Sequence, residues 1–269
     1  MIRTLIFGIQ SFRKNHELIW QLSRREISLR YSGSFLGIIW SFINPLAMLM
    51  VYSFVFGTVF KARWGAVATD SHNYTVLLFV GMLFHGLFAE CLAKSTTLIV
   101  GNSNYVKKVI FPLDILPWTV IGAALFHFLT GLIVLSGLQL FLTHELNWTV
   151  VYLPMILIPF ILFLVGLSWL VSALGVYFRD INQVVGMVTA IMMFLSPVFY
   201  SIESIPEKFR PYMLANPLTL VIEQGRQLLI YGSAPTLEAT LTISAIGLLS
   251  ALLGLWFFNK TRRGFSDVL

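Results

Sequence analysis

SPVFYSIESIPEKFRPYMLANPLTLVIEQGRQLLIYG, residues 196–232, separates two long apolar segments of the chain. It contains four prolines, at positions 197, 206, 211 and 217, together with acidic and basic residues, yet it keeps many bulky apolar side chains. A loop exposed only to water would not need those apolar side chains. The pattern predicts a pair of short helices that dips back into one membrane face and covers a path as a lid.

The rest of the chain is organised as apolar windows on both sides of this stretch. Windows of at least 19 residues without Asp, Glu, Lys or Arg cover 31–60, 71–89, 115–144, 146–178, 181–202 and 239–259. A helix of about 20 residues crosses the hydrocarbon layer of a bilayer. With 57% hydrophobic residues and a mean hydropathy of +0.83, the chain exceeds what a soluble core could bury. We therefore expect an all-α integral membrane protein with six transmembrane helices.

The distribution of charge predicts how these spans are oriented. Of the 18 basic residues, 13 lie before the first window, between the second and third, between the fourth and fifth, or after the sixth. The excess of Lys and Arg on cytoplasmic loops then places both termini in the cytoplasm. The expected organisation is a single membrane domain, 1–269, with a cytoplasmic interface segment (1–30), six spans (31–259) and a cytoplasmic tail (260–269). The net charge of +6 is explained by this topology and by anionic lipid headgroups, without nucleic acid.

The interface segment is predicted to form an amphipathic helix. Leu18, Leu22 and Leu29 fall within one arc of an ideal helix, and arginines close by can extend to the headgroup layer. An irregular polar tail is the alternative.

The first window carries a stripe of aromatic residues. On an ideal helix, five aromatic side chains project within about 100° of one another: Phe35, Phe42, Tyr52, Phe56 and Phe60. Sugar rings stack their C–H faces on aromatic planes, so the stripe indicates a surface for glycan. Packing against a neighbouring helix explains it equally well.

Ionisable residues near the second and third windows suggest structural roles. Glu90 and Lys94 have the spacing of an ion pair within one helix. His85 and His127 lack an acidic partner in their own windows, so we expect both to serve in packing. A single cysteine, Cys91, excludes an intrachain disulfide, and Cys and His residues do not cluster with metal-site spacing.

The link between the second and third windows, residues 94–117, is partly apolar. Gly101, Asn102 and Asn104 interrupt the preceding helix, and residues 105–111 can form a short helix that ends before Pro112. Such a helix tip below the membrane fits contact with a soluble partner. Lys107 and Lys108 also serve topology alone, whether or not a partner binds.

The sequence lacks the motifs that would supply energy or chemistry. It contains no G-x-x-x-x-G-K-[ST] phosphate loop, no G-x-S-x-G elbow and no H-E-x-x-H pair, and the mid-span positions hold no acidic or arginine set for ion coupling. If the chain moves a substrate uphill, another polypeptide must supply the energy.

Several motifs occur in a characteristic order and topology: RREISLRYSGSFLGIIWSFINPL (24–46), NYVKKVIFPLDILP (104–117), GVYFRDI (175–181), SPVFY (196–200) and NPLTLVIEQGRQLLIYG (216–232). In these motifs the chain resembles one known family, the membrane subunits of type 2 ABC exporters for bacterial surface polysaccharides, including O-antigen, capsule and teichoic acid. The resemblance covers nearly the whole chain.

The resemblance implies a homodimer in the bacterial inner membrane, bound to two copies of a cytoplasmic ATPase subunit. ATP and Mg²⁺ would bind that ATPase, and no cofactor would bind this chain. The cargo would be a polysaccharide carried on undecaprenyl diphosphate, most simply O-antigen. Spans one and five would line the channel, so the candidate channel residues are the aromatic stripe together with Phe194, Phe199 and Tyr200.

The resemblance also implies two further sets of residues. The ATPase would contact the interface helix and the link, with Asn102, Asn104, Tyr105, Val106, Lys107 and Lys108 as candidates. Residues 203–232 would supply re-entrant gate helices, and the outer gate candidates are Pro197, Pro206, Phe209, Pro211, Asn216, Pro217, Glu223 and Arg226. The spacing of Glu223 and Arg226 favours a structural ion pair.

Arg24, Arg25 and Arg30 are candidates for contact with the lipid diphosphate, because guanidinium groups pair well with phosphate oxygens. Membrane topology is the alternative explanation for these arginines. For the chain as a whole, two other functions stay open: an ABC exporter of a drug or small lipid, and a membrane enzyme acting on polyprenyl-linked sugars. The enzyme would require acidic residues facing a cavity.

Overall fold

A computed structural model describes residues 8, 10–59, 71–107, 111–144 and 146–269. Helices are the regular elements of these residues, which contain no strand. The α-helices in chain order are α1 (His16–Tyr31), α2 (Trp40–Tyr52), α3 (Ser71–Ser95), α4 (Ser103–Lys107), α5 (Leu116–Thr143), α6 (Leu153–Tyr177), α7 (Ile181–Leu195), α8 (Arg210–Leu214), α9 (Pro217–Leu229), α10 (Leu237–Thr261) and α11 (Phe265–Val268).

A π-helix and several 3₁₀ segments connect or extend these α-helices. A π-helix, Ser53–Val59, continues α2. The 3₁₀ segments are Gly37–Ile39, Val100–Asn102, Leu113–Ile115, Trp148–Tyr152, Ile202–Ser204 and Arg262–Gly264.

Among the residues that the structure describes, five helical segments are long and apolar enough to cross a membrane. They are Gly37–Val59, Tyr74–Ser95, Leu113–Leu142, Trp148–Tyr177 and Leu237–Val268. The other predicted window, 181–202, forms the 15-residue α7, which spans about 22 Å at 1.5 Å per residue. The helix ends because Ser196 precedes a proline and takes an extended conformation (φ −108°, ψ 152°).

The helix α3 forms the centre of the packed core. Its central residues are almost completely buried, including Phe79, Val80 and Phe84. It contacts α5, α6, α7 and α9. Span one, in contrast, is largely exposed, as expected for a helix that faces lipid or a second chain.

The helices α6 and α10 form the most extensive helix pair in the fold. Gly166 and Gly254 allow it, because a Cβ atom added to Gly254 would lie 2.0 Å from the carbonyl oxygen of Gly166. Ser250 adds a hydrogen bond from its hydroxyl to the carbonyl of Phe163 at 3.0 Å. Small residues at helix contacts allow this close backbone approach within membranes.

Span one is less regular than the single straight helix assumed for the aromatic stripe. Gly33 (φ +80°) and Gly37 (φ +53°) take left-handed conformations before the helix begins. Phe35 lies between them, outside α2, and is fully exposed. The π-helix then changes the angular spacing of residues 53–59. A projection at 3.6 residues per turn therefore fails at both ends of this span.

Residues 16–31 of the interface segment form the helix α1, which packs against α5. Ile19 and Ser23 are buried, whereas Leu29 is exposed. The Ser23 hydroxyl donates to the carbonyls of Ile19 (2.8 Å) and Thr119 (3.3 Å), so it joins α1 to α5. Ser23 thus contributes to this packing together with Leu22, which lies partly buried against the core. The orientation of the leucine arc towards the headgroup layer stays a prediction.

The fold has two ends that carry the candidate functional residues. We call one the basic end; it comprises α1, residues 95–107 and 111–115, and the C-terminal residues 262–269. We call the other the proline-rich end; it comprises residues 196–232 and 146–152. The helix α3 joins them, since Tyr74 near its start bonds to Phe199 and Thr96, just past its end, bonds to Asn182.

Candidate functional site

The proline-rich end contains the predicted helix pair, and its two helices differ strongly in burial. Around the short α8, Phe209 is 53% and Tyr212 77% exposed. The longer α9 is mostly buried, with Leu218, Val221, Ile222, Leu228 and Leu229 in the core. Pro206 and Pro211 are exposed, whereas Pro197 is buried. The second half of the stretch is therefore an integral part of the core, and only the first half has the exposure expected of a lid.

Side chains cap α9 at both ends. Asn216 accepts a hydrogen bond from the Leu218 amide at 3.0 Å, and Pro217 occupies the first turn, where its missing N–H costs nothing. At the other end, the Asn147 side-chain amide donates to the carbonyls of Leu229 (3.2 Å) and Ile230 (2.8 Å). The Thr149 hydroxyl donates to the Leu228 carbonyl at 2.5 Å. Residues before α6 therefore hold the end of α9 in place.

Arg226 of α9 is completely buried. Three of its hydrogen bonds run to Glu223 Oε1 (2.7 Å), to the Leu77 carbonyl of α3 (3.1 Å) and to the Val198 carbonyl (3.2 Å). The predicted ion pair with Glu223 is thus present, and the guanidinium also joins two other segments. A buried charge needs such partners, because desolvation costs several kcal/mol per ion.

The turn after α7, residues 196–200, is held by hydrogen bonds from several elements. Asn216 donates from its side-chain amide to the Ser196 hydroxyl at 3.0 Å. The Tyr74 hydroxyl donates to the Phe199 carbonyl at 3.0 Å, and the Tyr200 hydroxyl donates to the Phe194 carbonyl at 2.6 Å. The turn is consequently fixed against both α3 and α9.

This turn places Phe199 in the middle of an aromatic cluster. Its ring lies 4.9 Å from Phe56 with the planes at 22°, 5.9 Å from Tyr52 and 6.0 Å from Phe194, measured between ring centroids. Tyr52 and Phe56 also stack on each other at 6.2 Å. We call Tyr52, Phe56, Phe194 and Phe199 the aromatic cluster. It joins two segments that the sequence implicated separately, span one and the region around α7.

The other members of the predicted stripe lie elsewhere. Phe42 packs against the main core, and Phe35 is exposed ahead of the helix. Phe60 lies outside the described residues. The structure therefore brings together Tyr52 and Phe56 of the original stripe, and it adds Phe194 and Phe199 from another segment.

At the basic end, Glu90 and Lys94 do not pair with each other as predicted. Glu90 accepts from Arg30 of α1 at 2.5 Å, and Lys94 pairs with Glu26 of α1 at 2.6 Å. The prediction was wrong because it considered partners only within one helix. Both pairs instead attach α1 to α3.

His127 also has an acidic partner, contrary to its predicted role in packing alone. Its Nδ1 lies 2.9 Å from both carboxylate oxygens of Glu90 and 3.1 Å from Arg30. His85 bonds through Nε2 to the Thr189 carbonyl of α7 at 3.0 Å. Tyr31 lies beside these residues, with its ring centroid 6.0 Å from that of His127 and the two ring planes at 79°.

A polar cleft of about 340 Å³ lies between α1 and the link. Arg25, Glu26, Lys94, Asn102 and Tyr105 are among its lining residues. Arg25 reaches the Tyr105 hydroxyl at 3.4 Å, so α1 and the link also contact each other across the cleft.

The link itself is compact. Asn102 donates to the Leu98 carbonyl at 2.9 Å, and the ring of Tyr105 stacks on Phe111 with centroids 4.2 Å apart. Tyr105 and Val106 pack against the core, while Asn104 and Lys107 are exposed. Lys108 lies outside the described residues. The exposed positions of α4 are therefore the ones available to a partner.

The three candidate arginines of α1 differ in environment. Arg24 and Arg25 are exposed, and Arg25 lines the cleft. Arg30 is exposed too, but its charge is already paired with Glu90. Groups of three or more His, Cys, Asp or Glu residues with metal-binding geometry do not occur in the part of the chain that the structure describes.

Sequence reasoning missed the residues that organise the proline-rich end, namely Tyr74, Asn147 and Thr149. Their partners are backbone carbonyls far away in the chain, which leave no sequence pattern. The burial of α9, in contrast, did leave a sequence pattern. Apolar residues and a glycine recur at intervals of three and four, the period of a helix with one apolar face: Leu218, Val221, Ile222, Gly225 and Leu229.

Comparison with known proteins gives a consistent result across most of the chain. A family model described as "ABC-2 type transporter" matches residues 17–230. A Klebsiella pneumoniae protein named "O-antigen export system permease protein RfbA" is 30% identical over 94% of this chain and 95% of its own length. A Myxococcus xanthus protein of the same name is 27% identical over 93% and 94% of the two chains. The Escherichia coli "Polysialic acid transport protein KpsM" is 24% identical over 77% and 79%.

Proposed function

Since this chain belongs to the ABC-2 type transporter family, we propose that it is the permease subunit of an ATP-driven exporter that moves lipid-linked polysaccharide across the bacterial inner membrane. The observation that carries the proposal is similarity over nearly the full length to permeases named for O-antigen export. O-antigen is therefore the proposed cargo. The polysialic acid name of a more distant relative agrees with a polysaccharide and not with a drug or a small lipid.

The proposed assembly is a homodimer with one ATPase subunit bound to each copy. ATP and Mg²⁺ bind the ATPase subunits, and this chain needs no cofactor of its own. Both termini lie in the cytoplasm, so the basic end faces the ATPase. In this arrangement α7 and the turn that follows it form the fifth of the six spans, and α8, packed beside the buried α9, forms the exposed part of the re-entrant outer gate.

The aromatic cluster is the proposed contact for the glycan. Tyr52, Phe56, Phe194 and Phe199 present several ring planes from two segments, and sugars stack on such planes through their C–H faces. Phe194 is 68% exposed, which leaves ring surface for contact beyond the single chain. The exposed apolar side chains of α2 and α7 suit a second copy of the chain around the same path.

The cytoplasmic contact is proposed at α1 and the link. Asn104 and Lys107 are exposed on α4, and the ion pairs of Arg30 and Lys94 attach α1 to α3. Movement imposed on α4 or α1 can therefore reach α3, which extends to the turn at Phe199. Arg25, with Arg24 beside it, is the proposed partner for the lipid diphosphate, whereas Arg30 is already neutralised.

Deletion and complementation test this function in cells. Loss of the chain should remove polysaccharide from the surface while lipid-linked polymer accumulates inside, and a plasmid copy should restore export. Tyr52→Ala combined with Phe56→Ala should restore it poorly despite normal assembly with the ATPase. Phe141→Ala, which truncates a ring that is 78% exposed on α5, is the matched control. Normal surface polymer in the deletion strain would refute the proposal.

A further inference from the structure

We infer that Arg226 is a positioning residue. It holds the turn at Val198 against α3 and thereby determines the position of the aromatic cluster. The inference rests on the proposed function, because it gives this arginine a role in the same glycan contact. The hydrogen bonds described above run from Arg226 to Glu223 and to the carbonyls of Leu77 and Val198, so the inferred influence on the rings passes through the backbone.

The guanidinium of Arg226 bridges two backbone segments. Its Nε donates to the Leu77 carbonyl at 3.1 Å and its Nη2 donates to the Val198 carbonyl at 3.2 Å. Leu77 lies on the buried helix α3, which offers a fixed reference point. The planar fork of an arginine can span two such acceptors at fixed separation, which the point charge of a lysine cannot do in the same geometry.

The turn at Val198 also lies directly on α3, at Gly81. A Cβ atom added to Gly81, one helical turn after Leu77, would lie 3.0 Å from Val198 Cα and 3.1 Å from Arg226 Nη2. The glycine therefore leaves room for both the turn and the guanidinium. Packing against Gly81 and the hydrogen bond from Arg226 therefore fix the backbone of the same residue, Val198.

The same turn carries one of the four rings of the aromatic cluster. Phe199 follows Val198, and its own carbonyl is held by the Tyr74 hydroxyl at 3.0 Å. Phe199 is the member of the cluster that contacts Tyr52, Phe56 and Phe194. A shift of the Val198 backbone must therefore move the one ring on which the others converge.

Glu223 makes this arrangement possible inside the protein. Its carboxylate accepts from Arg226 Nη1 at 2.7 Å and balances the charge, so the other donors can be directed at neutral carbonyls. The acidic residue is partly exposed, whereas the arginine is completely buried. The pair is thus not a surface ion pair but the anchor of a buried bridge.

The test measures the position of Phe199 and the export of polymer separately. For position, Phe56→Cys and Phe199→Cys are combined in a Cys91→Ser background and joined by a short bifunctional thiol reagent in native membranes. Arg226→Lys and Arg226→Gln should lower the cross-linking yield severalfold in protein that still assembles. Tyr74→Phe, which keeps its ring and removes only the hydroxyl, should lower it in the same direction.

The matched control is Arg210→Gln in the same proline-rich stretch. Arg210 donates to the carbonyls of Ile205 (2.9 Å) and Glu203 (2.8 Å), both within its own loop, so its loss should leave cross-linking unchanged. For export, Arg226→Lys with all native rings should reduce surface polymer severalfold, because the glycan would meet a displaced ring surface.

Unchanged cross-linking in assembled Arg226→Lys and Tyr74→Phe proteins would overturn the inference, even if Arg226→Gln fails to fold. Reduced cross-linking with normal surface polymer would confirm that Arg226 positions the cluster and would instead overturn the role of the cluster in export. The two failures are therefore distinguishable.

Discussion

Glu90 is the residue through which α1, α3 and α5 meet at the basic end. Its carboxylate bonds to Arg30 at 2.5 Å and to His127 at 2.9 Å, and its side chain is only 20% exposed. Lys94 and Glu26 join α1 to α3 as well, but their side chains are 46% and 40% exposed. Arg30 is 44% exposed, much like Lys94, so the two pairs differ at the acceptor: Glu90 is less hydrated than Glu26 and also bonds to His127, whose side chain is 16% exposed. Removal of Glu90 should therefore cost more than removal of Glu26.

We therefore predict unequal effects of the same substitution at the two sites. Glu90→Gln should destabilise the protein by about 1–3 kcal/mol, because Arg30 and His127 lose their shared acceptor in a poorly hydrated place. Glu26→Gln should cost less than about 1 kcal/mol. Thermal unfolding of the purified protein in mild detergent measures both. Equal melting temperatures for the two variants would contradict this account of Glu90.

At the scale of elements, the contact between α6 and α10 depends on backbone approach at small residues. Gly166 and Gly254 meet where a Cβ atom would overlap a carbonyl oxygen. Neighbouring Ser250 bonds across the same contact. In a membrane, where apolar side chains gain little by leaving lipid, such close packing supplies much of the association between helices.

Alanine substitutions at two glycines test this packing. Gly254→Ala should destabilise the fold by about 1–3 kcal/mol through overpacking. Gly137→Ala on α5 is the control, because a Cβ atom there meets nothing within 4 Å. The control should be neutral or stabilising by up to about 1 kcal/mol, since alanine favours helix over glycine. A destabilised control with an unaffected Gly254 variant would contradict the argument.

Sequence patterns predict those features of the elements that depend on neighbouring residues. Apolar windows, the helix in residues 16–31 and the pair of Glu223 with Arg226 depend on local composition or on spacing of three to four residues, so they were predictable. The partners of Glu90 and His127 come from other helices, and no spacing reports them. The π-helix after Tyr52 and the left-handed glycines before Trp40 depend on tertiary context, which is why the ideal-helix projection placed Phe35 wrongly.

At the scale of the whole molecule, the fold connects its two ends through α3. This helix carries Glu90 near the basic end and Tyr74, Leu77 and Gly81 near the turn that holds Phe199. The segments with the candidate ATPase contacts and those with the candidate glycan contacts are therefore both attached to α3. The proposed function needs such a connection, because its energy would come from an ATPase on one side and its path would open towards the other.

Inverted inner-membrane vesicles test the central claim, export of lipid-linked polysaccharide by this chain, most directly. Vesicles containing the chain, its ATPase and lipid-linked polymer should protect that polymer from an added glycosidase only when ATP is present. Vesicles with the ATPase but without the chain should leave the polymer digestible. Equal, ATP-dependent protection in vesicles lacking the chain would contradict the account.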